Sequence, residues 1–207
     1  MPMSYSQNGE DDIVAGLFPP DFKGTLLEIG AYHPTELSNS RLLIERGWSA
    51  VLVEFSPGPV KALVKEYAGV PREPIPRVIV VAAAITAEAA HVEEFAVTDD
   101  ALSSNDEQHL KLWAKEGGYY GHLWVPTMSV HALLSQFFGQ RPCDFASVDT
   151  EGSSVPVAIA LMQSDHRPRV MCIEHNSRQV EVMQVAQPLG YACVHMTQEN
   201  MVLLCRK

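Results

Sequence analysis

Acidic residues recur in this sequence at the points where apolar runs end. Five carboxylates and one histidine occupy such positions: Glu28, Glu54, Asp149, Glu151, Glu174 and His175. A carboxylate can accept hydrogen bonds from hydroxyls, bind an ammonium group or take up a proton as a general base, and it repels phosphate. The pattern therefore favours a ligand that is rich in hydroxyls or carries a positive charge.

Short apolar runs alternate with amphipathic segments, and these are the elements that must position the acids. The runs that predict strands are GTLLEIG, SAVLVEF, PRVIVVAAAIT, CDFASVDTEG and PRVMCIEH, with a short extra strand at HVEEFAV and a final pair at YACVHMT and MVLLCRK. The segments that predict helices are SNSRLLIERG, with Ser38 or Asn39 near its cap, then PGPVKALVKEY, SSVPVAIALMQ and SRQVEVMQVAQPLG.

These elements predict an α/β fold with a doubly wound sheet. Strands that are apolar throughout and separated by helices favour a parallel sheet covered on both faces. Only TQEN joins the last two strands, which is too short for a parallel crossover, so the final pair is predicted to be antiparallel. We expect one domain over residues 1–207, with a lid or insertion at residues 99–127 that includes a helical piece around DEQHLKLWAKEGG.

The composition narrows the classes of partner. A formal net charge of −10 argues against nucleic acid as the main partner, because phosphate binding needs a basic face. No run approaches about 20 consecutive apolar residues, so no membrane span is expected, and MPMSYSQNGEDD lacks the features of a signal peptide. Four scattered cysteines without a CxxC pair predict reduced thiols and a cytoplasmic location: Cys143, Cys172, Cys193 and Cys205.

The first strand and the turn after it indicate the ligand. In open parallel sheets, ligands bind at the carboxyl ends of the strands. A dinucleotide would favour GxGxxG there, but the turn holds only Gly30. Glu28 suits an ammonium group, and Glu54, 24 residues after Gly30, suits the hydroxyls of a ribose. S-adenosylmethionine combines these features, although each acid could instead be a strand-end residue in a salt bridge.

Several longer stretches, taken in order, resemble the FkbM family of S-adenosylmethionine-dependent methyltransferases. They are YSQNGEDDIV, LLEIGAYHPTELSNSRLLIERGWSAVLVEFSP, CDFASVDTEGSS, PRVMCIEHN and GYACVHMTQENMVLLCRK. The resemblance covers nearly the whole chain. It implies the Rossmann-like class I methyltransferase fold, with a mostly parallel seven-stranded sheet and an antiparallel last strand. Two features depart from the family pattern: Pro34 replaces a small residue of the first loop, and no further acid follows Gly152.

The resemblance also implies where the cofactor binds. Glu28, Gly30 and Ala31 would line the methionine end. Other residues would contact the carboxylate, the ribose and the adenine or close over the pocket: Gln7, Glu10, Ser38, Asn39, Glu54, Phe55, Ser56, Ala83, Ala84, and Ser103 or Ser104.

Methyl transfer to a hydroxyl needs a group that takes the hydroxyl proton. Asp149 is the first candidate for this general base, followed by His175 and Glu174. Alternatively, Asp149 and Glu151 cap the following helix, whose exposed N–H groups favour acids. The acids Asp149, Glu151 and Glu174 could also bind a divalent cation such as Mg²⁺, because this ion prefers oxygen ligands.

The predicted function is O-methylation of a hydroxyl on a small-molecule acceptor, either a sugar or a secondary metabolite. Two alternatives stay open: N-methylation of a peptide side-chain amide, and a module that binds S-adenosylmethionine without catalysis. The altered first loop and the missing acid after Gly152 motivate the second alternative. The sequence leaves the identity of the acceptor and the oligomeric state open.

Overall fold

The structure, a computed structural model, describes residues 4–69, 77–88, 91–97 and 121–206. Within these residues the strands are β1 (Thr25–Ile29), β2 (Ser49–Glu54), β3 (Val78–Ala82), β4 (Ala84–Thr86), β5 (Val92–Val97), β6 (Gly121–Ser129), β7 (Phe145–Val148), β8 (Val170–Glu174), β9 (Tyr191–Met196) and β10 (Asn200–Cys205). The helices are α1 (Glu10–Gly16), α2 (Arg41–Glu45), α3 (Pro57–Tyr67), α4 (Val130–Phe137), α5 (Ser154–Gln163) and α6 (Gln179–Ala186).

Seven strands form one sheet in the order β3-β2-β1-β7-β8-β10-β9. All pairs from β3 to β8 are parallel, whereas β10 is antiparallel to both of its neighbours. This arrangement confirms the predicted doubly wound sheet and its antiparallel final strand. The strand order reverses between β1 and β7, which is the switch point where such sheets bind ligands.

The central strands β1, β2, β7 and β8 are buried on both faces because helices cover the sheet from both sides. In β1, Leu27 and Ile29 pack into one hydrophobic cluster, while Leu26 packs into the other. All four residues of β7 are buried, as expected for a central parallel strand. The second cluster is extended by Trp48, whose ring meets those of Phe18 and Phe22 edge to face. This ring packing lies at the amino ends of β1 and β2, opposite the strand ends that carry the acids.

The third predicted strand, residues 76–86, is in fact two strands in two sheets. β3 joins the large sheet, and β4 pairs with β6 in a separate sheet of order β4-β6-β5. The break falls at Ala83, whose N–H donates to the carbonyl of Glu54 at 3.1 Å. The apolar run continues through the break, and therefore the sequence pattern does not reveal the change of sheet.

Some predictions lie outside the described residues. These are the helical piece around residues 106–118, Ser103, Ser104 and most of the predicted lid, of which residues 121–127 belong to β6. The single domain and its lid stay predictions. All four cysteines are free thiols, as predicted. Of the helices in the described ranges, none has the length and apolar character needed to cross a membrane.

Candidate active site

A cavity of about 540 Å³ opens at the carboxyl ends of β1, β2 and β7. Its walls also include residues of β4 and β5 from the small sheet, and Asn200 at the start of β10. This volume lies within the usual range for small-molecule sites. The cavity therefore occupies the edge of the sheet at which the acids were predicted to meet.

Gly30 forms the floor of the cavity, and only glycine suits its position. Its φ of +81° lies in the left-handed region, and a Cβ added there would be 1.5 Å from the carbonyl oxygen of Asp149. The N–H groups of Gly30 and Ala31 both donate to the carbonyl of Val53, each at 3.0 Å. These contacts bring the ends of β1, β2 and β7 together.

Glu28 lies behind the cavity wall. The N–H of Asn39 donates to its Oε1 at 3.0 Å, and the hydroxyl of Ser40 donates to its Oε2. Burial raises the pKa of Glu28 to about 7, although these two hydrogen bonds act in the opposite direction. Ser38 is also outside the lining, and its Oγ accepts a hydrogen bond from the N–H of Arg41 at 3.1 Å, which caps the first turn of α2.

Asn39 presents an unsatisfied polar atom at the cavity. It lines the cavity and is 8% exposed, and its Nδ2 donates to the hydroxyl of Ser147 at 3.0 Å. Its Oδ1 is buried and has no hydrogen-bond partner. Because leaving a buried polar atom unpaired is costly, a ligand that donates a hydrogen bond would be stabilised here.

Glu54 lines the cavity at the end of β2 and is already held by the backbone. Its Oε1 accepts from the N–H groups of Phe55 and Ser56, both at 2.7 Å, and its Oε2 accepts from the N–H of Tyr32 at 3.0 Å. Burial raises its pKa, while these hydrogen bonds partly offset that effect. A carboxylate has about four acceptor positions, so Glu54 retains one for a ligand hydroxyl.

An apolar wall adjoins Glu54. The rings of Phe55 and Phe95 lie 4.5 Å apart between centroids, and both line the cavity. Ala84, Leu123 and Val125 complete this small cluster, in which Phe55 follows β2 and the other members belong to the small sheet. A flat, apolar ring system would pack well against such a wall.

Three carboxylates gather at the ends of β7 and β8. Ligand atoms of Asp149, Glu151 and Glu174 lie within 4.8 Å of one another. Asp149 and Glu151 line the cavity, whereas Glu174 lies behind them and accepts from the hydroxyl of Ser154 at 2.8 Å.

Burial and mutual repulsion disfavour ionisation of these acids. Burial, and next the charge of Glu174, raise the pKa of Asp149 well above its ordinary value. Burial, and next the charge of Glu151, raise the pKa of Glu174 to about 7. The Oδ1 of Asp149 is buried without a hydrogen-bond partner. It is the carboxylate oxygen most in need of a hydrogen-bond donor from a ligand.

His175 lies outside the cavity lining and is 2% exposed. Its Nδ1 accepts from the N–H of Ser177 at 3.2 Å, and its Nε2 faces the carbonyl of Thr197 at 3.5 Å. The imidazole therefore supports the turns beyond β8 and β9 and does not reach a ligand in the cavity. This placement gives no support to its predicted role as a base.

The amino-terminal segment reaches the cavity through Gln7, whereas Glu10 is fully buried beneath it. Glu10 accepts hydrogen bonds from the N–H of Asn8 at 2.9 Å, from Asn8 Nδ2 at 3.2 Å and from Asn200 Nδ2 at 2.9 Å. Burial raises the pKa of Glu10, but these hydrogen bonds outweigh that effect and the net shift is downward. Glu10 thus orients Asn200 and does not itself close over a ligand.

Most of the predicted site residues meet at this cavity. Those that line it are Gln7, Gly30, Asn39, Glu54, Phe55, Ser56, Ala83, Ala84, Asp149 and Glu151. Those that the lining does not include are Glu10, Glu28, Ala31, Ser38, Glu174 and His175.

Sequence reasoning missed other lining residues, among them Tyr32, His91, Glu93 and Asn200. His91 is exposed and lines the cavity beside Glu93, with its Nε2 against that carboxylate. The antiparallel pairing of the last strands was the one available signal for Asn200, since it brings the start of β10 to this edge.

The model of the methyltransferase FkbM domain matches residues 28–198, well over half of the chain. The chain belongs to the FkbM methyltransferase family. This family member is a methyltransferase that uses S-adenosylmethionine, and its sheet has the Rossmann-like order expected of one. No curated protein matches the chain.

Two solved structures are similar to this methyltransferase. TrmK of M. capricolum, in complex with the natural cofactor product S-adenosylhomocysteine, has 10% sequence identity and a TM-score of 0.44; the match covers 97% of this chain and 70% of TrmK. The fibrillarin pre-rRNA processing protein of Methanococcus jannaschii has 11% identity and a TM-score of 0.41, with 91% and 69% covered.

Proposed function

We propose that this methyltransferase acts on a hydroxyl of a small molecule, either a sugar or a secondary metabolite. The observation that carries the proposal is the Oδ1 of Asp149, an unpartnered carboxylate oxygen in the wall of the cavity. It belongs to the residue whose carbonyl lies against the Gly30 turn, so a hydrogen-bond acceptor stands beside the proposed cofactor position.

The residues of the cavity suit S-adenosylmethionine. The remaining acceptor position of Glu54 would take a ribose hydroxyl, and the wall of Phe55, Phe95 and Ala84 would pack against the adenine. The unpartnered Oδ1 of Asn39 would accept from the ammonium group of the methionine end. Glu28 would act indirectly, by holding the backbone of Asn39.

When bound, the cofactor supplies an activated methyl group. The protein then has to position the acceptor, exclude water and remove one proton. The oxygen of the acceptor hydroxyl would bond to the methyl carbon while the bond between that carbon and the cofactor sulfur breaks. Asp149 would accept the proton that the hydroxyl loses. When ionised, Asp149 is a stronger base than an ordinary carboxylate, because burial and the charge of Glu174 raise its pKa. A base at this position contributes roughly 10²–10⁴-fold to the rate.

The predicted magnesium site stays a prediction. The close approach of Asp149, Glu151 and Glu174 is compatible with oxygen ligation of a divalent cation. Carboxylates gather in the same way when they share a proton, and no second feature of the described cavity points to a metal ion.

The two alternatives make different demands on the cavity. A module without catalysis would need no proton acceptor, whereas Asp149 lines the cavity. Pro34, one of the two departures that motivated this alternative, is buried and is not part of the lining. N-methylation of a side-chain amide stays open, because an amide would also need its nitrogen activated by an acceptor such as Asp149.

Calorimetric titration with S-adenosylmethionine, and separately with NAD, tests the cofactor site. We expect micromolar binding of the first alone, with a large loss in Glu54→Ala. Hydroxylated sugars and metabolites would then be screened with and without Mg²⁺. Hydroxyl methylation that disappears in Asp149→Asn, while cofactor binding persists, would support the proposal. Methylation of nitrogen alone, or full turnover in Asp149→Asn, would refute it.

A further inference from the structure

Asp149, Glu174 and Asn200 form a row across three neighbouring strands. Val148 of β7 is in register with Ile173 of β8, so the next residues, Asp149 and Glu174, follow side by side. Glu174 is in turn the register partner of Asn200 in β10. The two outer members of the row, Asp149 and Asn200, both line the cavity.

The amide of Asn200 has a defined orientation. Its Nδ2 donates to Oε1 of Glu10 at 2.9 Å, and therefore its Oδ1 is the end left for the cavity. The side chain is 6% exposed, so it is held in place by its surroundings. Glu10 is a positioning residue here, because an ionised carboxylate can accept but cannot donate a hydrogen bond. The row thus offers two oxygen acceptors, Oδ1 of Asp149 and Oδ1 of Asn200.

The charge of the cavity is one-sided. Its described lining contains five carboxylates and neither lysine nor arginine: Glu54, Glu88, Glu93, Asp149 and Glu151. S-adenosylmethionine carries one net positive charge, which offsets only part of the negative charge of these carboxylates. An acceptor that carried a phosphate or a carboxylate would be repelled, whereas a cationic acceptor would be attracted.

The row is also on the correct side of the sheet for an acceptor. The proposed cofactor contacts lie at β2 and β1, through Glu54 and the Gly30 turn. Across the switch point, β7, β8 and β10 carry the row. A group that approaches the transferred methyl from that side meets Asp149 first and Asn200 beyond it.

We propose that Asp149 and Asn200 form a subsite for a cation, and that the methyl acceptor is a hydroxyl compound that carries a protonated amine. This rests on the proposed function, since it assigns the substrate class of the same site. The ammonium group of the acceptor donates hydrogen bonds to Oδ1 of Asn200 and to Oδ1 of Asp149. These bonds place a neighbouring hydroxyl of the acceptor beside Asp149.

Sinefungin tests the subsite without an identified acceptor. This cofactor analogue carries an amine where S-adenosylmethionine carries the transferred methyl group, whereas S-adenosylhomocysteine carries nothing there. Calorimetric titration of the full chain would give the ratio of the two affinities. We expect sinefungin to bind at least about tenfold more tightly, because its ammonium faces the acids of the row.

Three variants sharpen the measurement. Asp149→Asn is expected to reduce the affinity ratio to within about threefold of one, and Asn200→Leu to reduce it severalfold. Glu54→Gln is the matched control: it removes a carboxylate of the same cavity at the ribose end, so both ligands should weaken and the ratio should persist.

An affinity ratio near one in the wild type would overturn the proposal, as would a ratio unchanged in both Asp149→Asn and Asn200→Leu. Asn200→Leu keeps the test decisive if Asp149→Asn does not fold. The proposed hydroxyl methylation fails on a separate criterion, the product found in the acceptor screen. Failure of both ligands to bind the wild type would refute the cofactor site and the subsite with it.

Discussion

Two buried glutamates each support an asparagine in the cavity wall, and they do so in opposite electrostatic states. Glu10 accepts three N–H hydrogen bonds, and its net pKa shift is downward. Glu28 accepts one N–H and one hydroxyl beside the charge of Asp149, and burial raises its pKa to about 7. Desolvation and hydrogen-bond donors thus act in opposite directions on both carboxylates, and the donors prevail only at Glu10.

The two pairs also differ in what they hold. Glu10 binds the side-chain amide of Asn200, 190 positions away, and so determines which atom faces the cavity. Glu28 accepts a hydrogen bond from the backbone N–H of Asn39, 11 positions away, whereas the side chain of Asn39 donates to Ser147. One pair closes the fold between its two ends, whereas the other shapes a local loop. Substitutions in each pair test this contrast, and the largest effect is expected at Glu10.

Replacing Glu10 should cause the largest loss of stability. Glu10→Ala leaves the buried Nδ2 of Asn200 and two N–H donors of Asn8 without an acceptor, and we expect the free energy of unfolding to fall by about 3 kcal/mol. Urea unfolding at pH 7 measures this. Asp12→Ala, an exposed acid in the same helical turn, is the control and should change stability by less than about 0.5 kcal/mol. Equal losses in the two variants would contradict the assigned role of Glu10.

Replacing Glu28 should instead change how stability depends on pH. Because its folded pKa lies above the ordinary 4.5, its contribution is fully present below pH 4.5 and is lost as the pH rises through about 7. Glu28→Gln keeps an uncharged acceptor for Asn39 and removes the titration. The stability of the variant relative to the wild type should therefore rise by about 3 kcal/mol between pH 4.5 and 8. Urea unfolding across that range tests this, and a constant difference would show that Glu28 does not titrate as described.

Replacing Asn39 and replacing Asn200 should have different effects on the affinity for the cofactor. Asn39→Ala removes the unpartnered Oδ1, and we expect S-adenosylhomocysteine to bind about tenfold more weakly, which corresponds to about 1.4 kcal/mol. Asn200→Ala should change this affinity by less than about twofold, since Asn200 lies on the acceptor side. Calorimetry decides between this outcome and equal losses, which would place both asparagines at the cofactor.

The smallest effect is expected at Ser40, which is fully buried and donates to Glu28. Ser40→Ala removes one of the two hydrogen bonds to that carboxylate and should cost about 1 kcal/mol at pH 8, where Glu28 is ionised. At pH 4.5 the loss should be smaller, because the protonated acid depends less on a donor. Urea unfolding at the two pH values measures both losses, and the reverse order would contradict the description of Glu28.

Much of the fold could be predicted because its signals are local. Apolar runs predicted the strands of the large sheet, and the short TQEN connection predicted the antiparallel final pair. Within the site, Gly30 and Glu54 were identified from their positions at strand ends, and both line the cavity. Periodicity and strand ends are properties of neighbouring residues, so a single sequence displays them.

The amino-acid sequence by itself determined the order of the elements, the acids at their ends and the resemblance to a methyltransferase family. Only the tertiary structure decided which of the strand-end residues face the cavity: Glu54 and Asp149 line it, whereas Glu28 and His175 are turned into internal hydrogen bonds. It also brought Asn200 to the cavity. The physical reason is that the direction of a strand-end side chain depends on which distant donors surround it. Those donors meet only once the sheet has formed.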